Sequence, residues 1–198
     1  MARLMFYAED HTYTVDNQEL PSVSELTRFI SKEIYGEVNQ YTLDRAADRG
    51  TRVHKVTEAL DKYGEAECDD DILPYLQAYL EFRKKHKCEW QMIEKAMYHP
   101  EQMYAGQIDR YGIVDGERSI VDIKTTSQIH LVSVTAQLTF YKRMVVVNGD
   151  QVDKLYVLQL QKTGKPVLKE IQPDEALADA CLCLHDRLRK KKHNKNNL

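Results

Sequence analysis

The chain switches repeatedly between two hydrophobic periods. Runs rich in β-branched and aromatic residues occur at Arg3 to Tyr7, Thr12 to Val15, Gln91 to His99, Gln107 to Val114, Ser119 to Thr125, Leu155 to Leu160 and Val167 to Ile171, and these read as strands. Helical spacing fills the intervals. Ser22-Val23-Ser24-Glu25 is a capping-box pattern and predicts a helix start. A second helix, roughly Leu43 to Tyr63, carries Val53, Val56 and Leu60 as its inward stripe, with His54 at the margin. Pro74 suits a first helical turn and opens a third, running with Leu76, Tyr79 and Leu80 towards Lys87. After Ile129 a helix bears Val134, Leu138, Tyr141 and Val145, and a last one starts near Asp174. Helices before, between and after the strands predict an α/β fold, a central mixed β-sheet flanked by helices.

One hairpin breaks this pattern with charge. Asp115-Gly116 suits the positive φ angles of a type I′ turn between Gln107 to Val114 and Ser119 to Thr125. With a two-residue loop, Val114 faces Glu117 and Asp109 faces Asp122; with a four-residue loop, Val114 faces Ser119 and Asp109 faces Lys124. In both registers Asp109, Asp122 and Lys124 share one face, because side chains alternate along a strand. Opposed side chains have Cβ atoms about 4.5–5.5 Å apart, where like charges destabilise the pair. A wet, charged face would relieve the repulsion, but Ile120, Val121 and Ile123 mark the second strand as buried on at least one side. A hard divalent cation offsets it instead: Mg²⁺ prefers carboxylate oxygens and can bridge protein to phosphate. A lysine at the adjacent same-face position can orient water and stabilise charge developing on that phosphate.

Gly106-Gln107-Ile108-Asp109, Asp122-Ile123-Lys124 and Gln137-Leu138-Thr139-Phe140-Tyr141 occur in the order of the motifs G-x-x-D, D-x-K and Q-x-x-x-Y. In this the chain resembles the PD-(D/E)XK nuclease superfamily in its RecB-type form, which includes phage recombination exonucleases. Gly50-Thr51-Arg52-Val53-His54 is similar to that family's G-x-x-x-H, and Leu20-Pro21-Ser22-Val23-Ser24 to the opening segment of phage-type members. D-x-K alone occurs by chance; four motifs in order are specific.

The resemblance implies a restriction-endonuclease-like core and a Mg²⁺- or Mn²⁺-dependent DNA exonuclease, with an endonuclease or a cleavage-inactive DNA-binding module as the alternatives. It implies metal ligation by Asp109, Asp122, the backbone carbonyl of Ile123 and His54, whose neutral imidazole suits Mn²⁺ better than Mg²⁺. Glu94 lies where related phage nucleases carry an acidic residue near the metals. Gln137 and Tyr141, one helical turn apart, would position the site or the DNA backbone; a glutamine is unexpected in an apolar core. Glu58, one turn from His54, reads better as a salt-bridge partner of Arg52, Lys55 or Lys62. Implied partners are DNA and a single-strand annealing protein, and some members form homo-oligomeric rings.

A length of 198 residues with 42% hydrophobic content suits one domain over the whole chain. No apolar run reaches the ~18 residues of a membrane helix, so a soluble intracellular protein is expected, and the resemblance implies the cytoplasm of a bacterial or phage-infected cell. The formal net charge of −3 argues against a nucleic-acid partner until its distribution is considered. Arg45, Arg49, Arg52 and Lys55 cluster on the helix carrying His54, as candidate phosphate contacts, and a basic tail begins at about residue 189. Some RecB-type nucleases hold an iron–sulfur cluster with one cysteine ahead of the motif histidine and three after the Q-x-x-x-Y helix. Here none of Cys68, Cys88, Cys181 and Cys183 precedes His54, and only the last two come after Tyr141. No cluster is expected; the cysteines read as free and reduced, with Cys181 and Cys183 helping a C-terminal helix to pack. Protein purified without oxygen should therefore be colourless with no iron near stoichiometry, and a brown preparation with a broad visible band would overturn this.

Overall fold

The computed structural model describes residues 3–7, 9–36 and 39–195, leaving out the side chains of 31, 32, 34, 35 and 190–195. Most of the basic tail's side chains thus lie outside the described residues. The N-terminal hairpin is present as β1 (Leu4–Tyr7) and β2 (Thr12–Val15), and a short β3 (Gln18–Leu20) completes a three-stranded antiparallel sheet. Ser22 then caps α1 (Val23–Leu26) through a reciprocal capping box with Glu25. The expected single helix is divided, since Thr27 leaves helical geometry and bonds back to the Val23 carbonyl before α2 (Arg28–Tyr35) begins.

The remaining elements are α3 (Gln40–Tyr63), α4 (Leu73–Lys85), β4 (Cys88–His99), β5 (Tyr104–Val114), β6 (Glu117–Lys124), α5 (Leu131–Val147), β7 (Lys154–Leu160), β8 (Pro166–Glu170) and α6 (Glu175–Lys195). The second sheet has the order β4-β5-β6-β7-β8, antiparallel except for β6 and β7, which run parallel and are joined through α5. This is a five-stranded mixed sheet flanked by helices. On one face α1, α5 and α6 bury Ile108, Tyr111, Ile120, Leu155 and Val157; on the other, α3 and α4 bury Val114, Val121, Ile123, Leu158 and Leu160. Coverage of both faces explains the continuous apolar run of β6. Two expectations are corrected by exposure: Leu80 faces solvent while Tyr75, Ala78 and Phe82 carry the α4 contact, and Cys183 is exposed although Cys181 is buried.

Of the two registers, the two-residue loop is the one formed: Val114 pairs with Glu117, with Asp115 and Gly116 at φ 51° and 93°. Two irregularities in β4 distort the pairing of its neighbour. Gln91 is unpaired between Trp90↔Gly112 and Met92↔Tyr111, a bulge. Glu94 has φ 47° and, with Asp109, is skipped between the pairs Ile93↔Arg110 and Lys95↔Ile108. Alternation on β5 shifts at the same point: Ile108 and Tyr111 both enter the α5-side core, whereas Arg110 turns towards α3 and α4.

The bulge leaves no room beside Gly112, where a Cβ would lie 2.2 Å from the Glu89 carbonyl oxygen and 2.8 Å from the Trp90 Cα. Both obstacles are backbone, so Gly112→Ala is expected to destabilise the fold by about 1–3 kcal/mol, read from urea unfolding midpoints.

Candidate active site

β5 and β6 separate just beyond the pair Arg110↔Val121, one step short of Asp109 and Asp122. The Asp109 carboxylate fills the gap: its Oδ2 accepts the Ile123 N–H at 2.7 Å, replacing a ladder bond. Its Oδ1 lies 3.6 Å from His54 Nδ1. The imidazole nitrogen donates to Glu94 Oε1 at 3.0 Å, and Glu94 Oε2 accepts from the Gln107 amide at 2.9 Å. His54, Glu94 and Asp109 each offer a ligand atom within 4.8 Å of the others, a donor set able to hold a metal ion.

Asp122 is 1% exposed and faces the α5 side of the sheet. Lys124 Nζ donates to its Oδ1 at 3.0 Å and lies 2.9 Å from its Oδ2, so the ammonium is ion-paired with both oxygens. Lys124 also donates to Gln137 Oε1 at 3.1 Å, and the Gln137 amide donates to the Tyr141 hydroxyl at 3.0 Å. α5 thus presents Gln137 and Tyr141 to the lysine from the face opposite α3. The sequence-derived residues fall into two linked groups, His54 with Glu94 and Asp109, and Asp122 with Lys124, Gln137 and Tyr141, on neighbouring strands, while the Ile123 side chain points into the α3/α4 core.

The basic residues of α3 behave differently. Arg52 is committed to Asp48 at 3.0 Å, Asp69 at 2.9 Å and Asp71 at 2.6 Å, three carboxylates that outweigh its single charge. Arg45 lies over the Tyr41 ring and Arg49 over the Tyr75 ring, and Lys55 is exposed. Glu58 pairs with Lys62.

Arg110 and Asp61, both nearly inaccessible, were not legible as site residues. Arg110 reaches Asp61 Oδ2 at 2.7 Å and Glu94 Oε1 at 2.9 Å, and Asp61 also bonds the Tyr79 hydroxyl and Arg83. The available signals were an arginine inside an apolar strand and an aspartate two helical turns beyond His54.

Burial sets the electrostatics. Desolvation raises the Asp122 carboxyl to about 6, with the Asp109 charge adding to it and Lys124 opposing. Desolvation likewise raises Asp109, against the pull of His54. For His54 burial disfavours the cation, but Asp109 and Glu94 outweigh it and lift the imidazole to about 9. Burial also pushes the Tyr141 hydroxyl well up, so it stays a neutral acceptor for Gln137.

No protein-family model matches the chain, and no curated protein matches its sequence. Among solved structures, a protein described as a candidate exonuclease from Eubacterium rectale aligns over 74% of this chain at 13% identity with a TM-score of 0.47. An alkaline exonuclease from Laribacter hongkongensis aligns over 73% of this chain and 83% of its own at 10% identity, with a TM-score of 0.41. The chain spans 65% of the length of the first of these. Likeness at this level leaves the chemistry to be read from the chain's own side chains.

The His54 shift has a definite sign. A histidine raised in the fold contributes stability that is complete below its ordinary 6.5 and is lost as pH climbs through about 9. Raised carboxyls act in the same direction at lower pH. With divalent cations chelated, the chain should therefore lose more unfolding free energy between pH 6.5 and 9 than His54→Gln does, measured by urea titration at both pH values. Equal losses would show that His54 is not held as the cation.

Proposed function

We propose that the chain is a divalent-metal-dependent deoxyribonuclease, a phosphodiester hydrolase working as a DNA exonuclease of the phage recombination type. The observation that supports this most is the convergence of His54, Glu94 and Asp109 within 4.8 Å, beside the ion pair of buried Asp122 with Lys124. Mg²⁺ or Mn²⁺ held there would neutralise the scissile phosphate and make a bound water a better nucleophile. His54, Glu94, Asp109, Asp122 and the Ile123 carbonyl would hold the ion. Lys124, kept in place by Asp122 and Gln137, would orient the water and stabilise charge developing on the phosphate. Tyr141 would act through Gln137. Arg45, Arg49 and Lys55 would meet the DNA backbone. The sequence resemblance extends the reading to recombination beside a single-strand annealing protein, with ring assembly around DNA as the oligomeric form.

The side chains have separable roles, which makes the reading testable. Wild-type protein with Mg²⁺ or Mn²⁺ is expected to consume linear DNA and spare covalently closed circles. Asp122→Asn should lose both Mn²⁺ binding, measured by calorimetry, and cleavage. Lys124→Ala should keep Mn²⁺ and DNA binding but cleave about 10²-fold more slowly or worse. Nicking of the circle would make the enzyme an endonuclease. Binding without cleavage under any divalent metal would make it a binding module, and wild-type cleavage by Lys124→Ala would refute the lysine's role.

A further inference from the structure

Arg110 is 0% exposed, an unusual place for a guanidinium. Its Nη1 donates to Glu94 Oε1 at 2.9 Å and to the Asp109 carbonyl oxygen at 2.7 Å. Its Nη2 donates to Thr57 Oγ1 at 3.1 Å, and that hydroxyl donates to the His54 carbonyl, also at 3.1 Å. Its Nε donates to Asp61, and its plane lies over the Tyr79 ring. One group therefore touches the support of every member of the His54, Glu94 and Asp109 cluster: a side chain, a backbone oxygen and a helical turn.

Glu94 is the member that most needs holding. Its φ of 47° is a conformation that non-glycine residues adopt at a cost, and strand pairing is interrupted there. The guanidinium's fixed fork can bridge a carboxylate and a carbonyl at once, which a lysine's single ammonium does less well. A purely structural account would make Arg110 a tie between α3, β4 and β5. Its partners, however, have other bonds: Asp61 keeps Arg83 and Tyr79, and Glu94 keeps His54 and Gln107.

We propose that Arg110 is a positioning residue for the cation, fixing the strained Glu94 carboxylate and the Asp109 backbone in the geometry the ion requires. The assignment rests on the proposed metal-dependent function, and its test reads metal uptake rather than cleavage. Arg110→Lys keeps the charge and loses the fork. It should fold, by circular dichroism in chelator, and bind Mn²⁺ about 10- to 100-fold more weakly in calorimetry, the scale on which groups behind metal ligands act. Because Arg110 acts in part through Glu94, Arg110→Lys and Glu94→Gln combined should cost less than the sum of the two single losses. Wild-type Mn²⁺ affinity in folded Arg110→Lys, or full additivity with Glu94→Gln, would overturn the assignment while leaving the proposed function standing. A wild-type chain that takes up no Mn²⁺ would sink both. If Arg110→Lys does not fold, Arg110→Gln with Asp61→Asn removes both charges of the buried pair and should fold with the same loss of affinity. If neither variant folds, Arg110 is a determinant of the fold and the assignment falls.

Discussion

Carboxylates buried beside one another repel strongly, and Glu94, Asp109 and Asp122 are all nearly sealed from water. Much of the polar structure between the two helical layers answers that constraint. From the α3 side come His54 on Glu94 and Asp109, and the guanidinium of Arg110 on Glu94 and Asp61. From the sheet itself come the Ile123 N–H and the Lys124 ammonium. Each compensating group is held by a neighbour in turn: Lys124 by Gln137, Gln137 by Tyr141, Asp61 by Tyr79 and Arg83. Even so, the Asp122 and Asp109 carboxyls remain raised. That residue of uncompensated negative potential is what a divalent cation would meet.

Much of this was legible because short-range chemistry was unambiguous. Asp115-Gly116 announced the turn, and strand alternation then placed Asp122 and Lys124 on one face whichever register formed. Ser22 and Glu25 announced a helix start, and Pro74 another. Spacing on one helix likewise put Gln137 and Tyr141 together. The position of Glu94 was not legible, because the Gln91 bulge and the positive φ at Glu94 break the period-two rule from which a face is read. Arg110 escaped for the same reason: the shift at Asp109 turns it away from the face that Ile108 and Tyr111 share. β3, three residues long, carries too little pattern to announce itself. Arg52 shows a different limit, since its neutralisation depends on Asp69 and Asp71 folding back against α3.

The parallel pairing of β6 with β7 has a consequence for timing. Asp122 and Lys124 sit on the central strand, whose second edge is completed only by Lys154–Leu160, after the whole of α5. Until those later residues have emerged, Asp122 and Lys124 lie on a strand with one open edge, even though the helix that supplies Gln137 is already made. Pairings of such sequence separation form late, because loop closure must be met before they contribute. During synthesis the cluster would remain unassembled while most of its members already exist in the nascent chain, so a growing polypeptide near nucleic acid would carry the residues of the site without yet having its geometry.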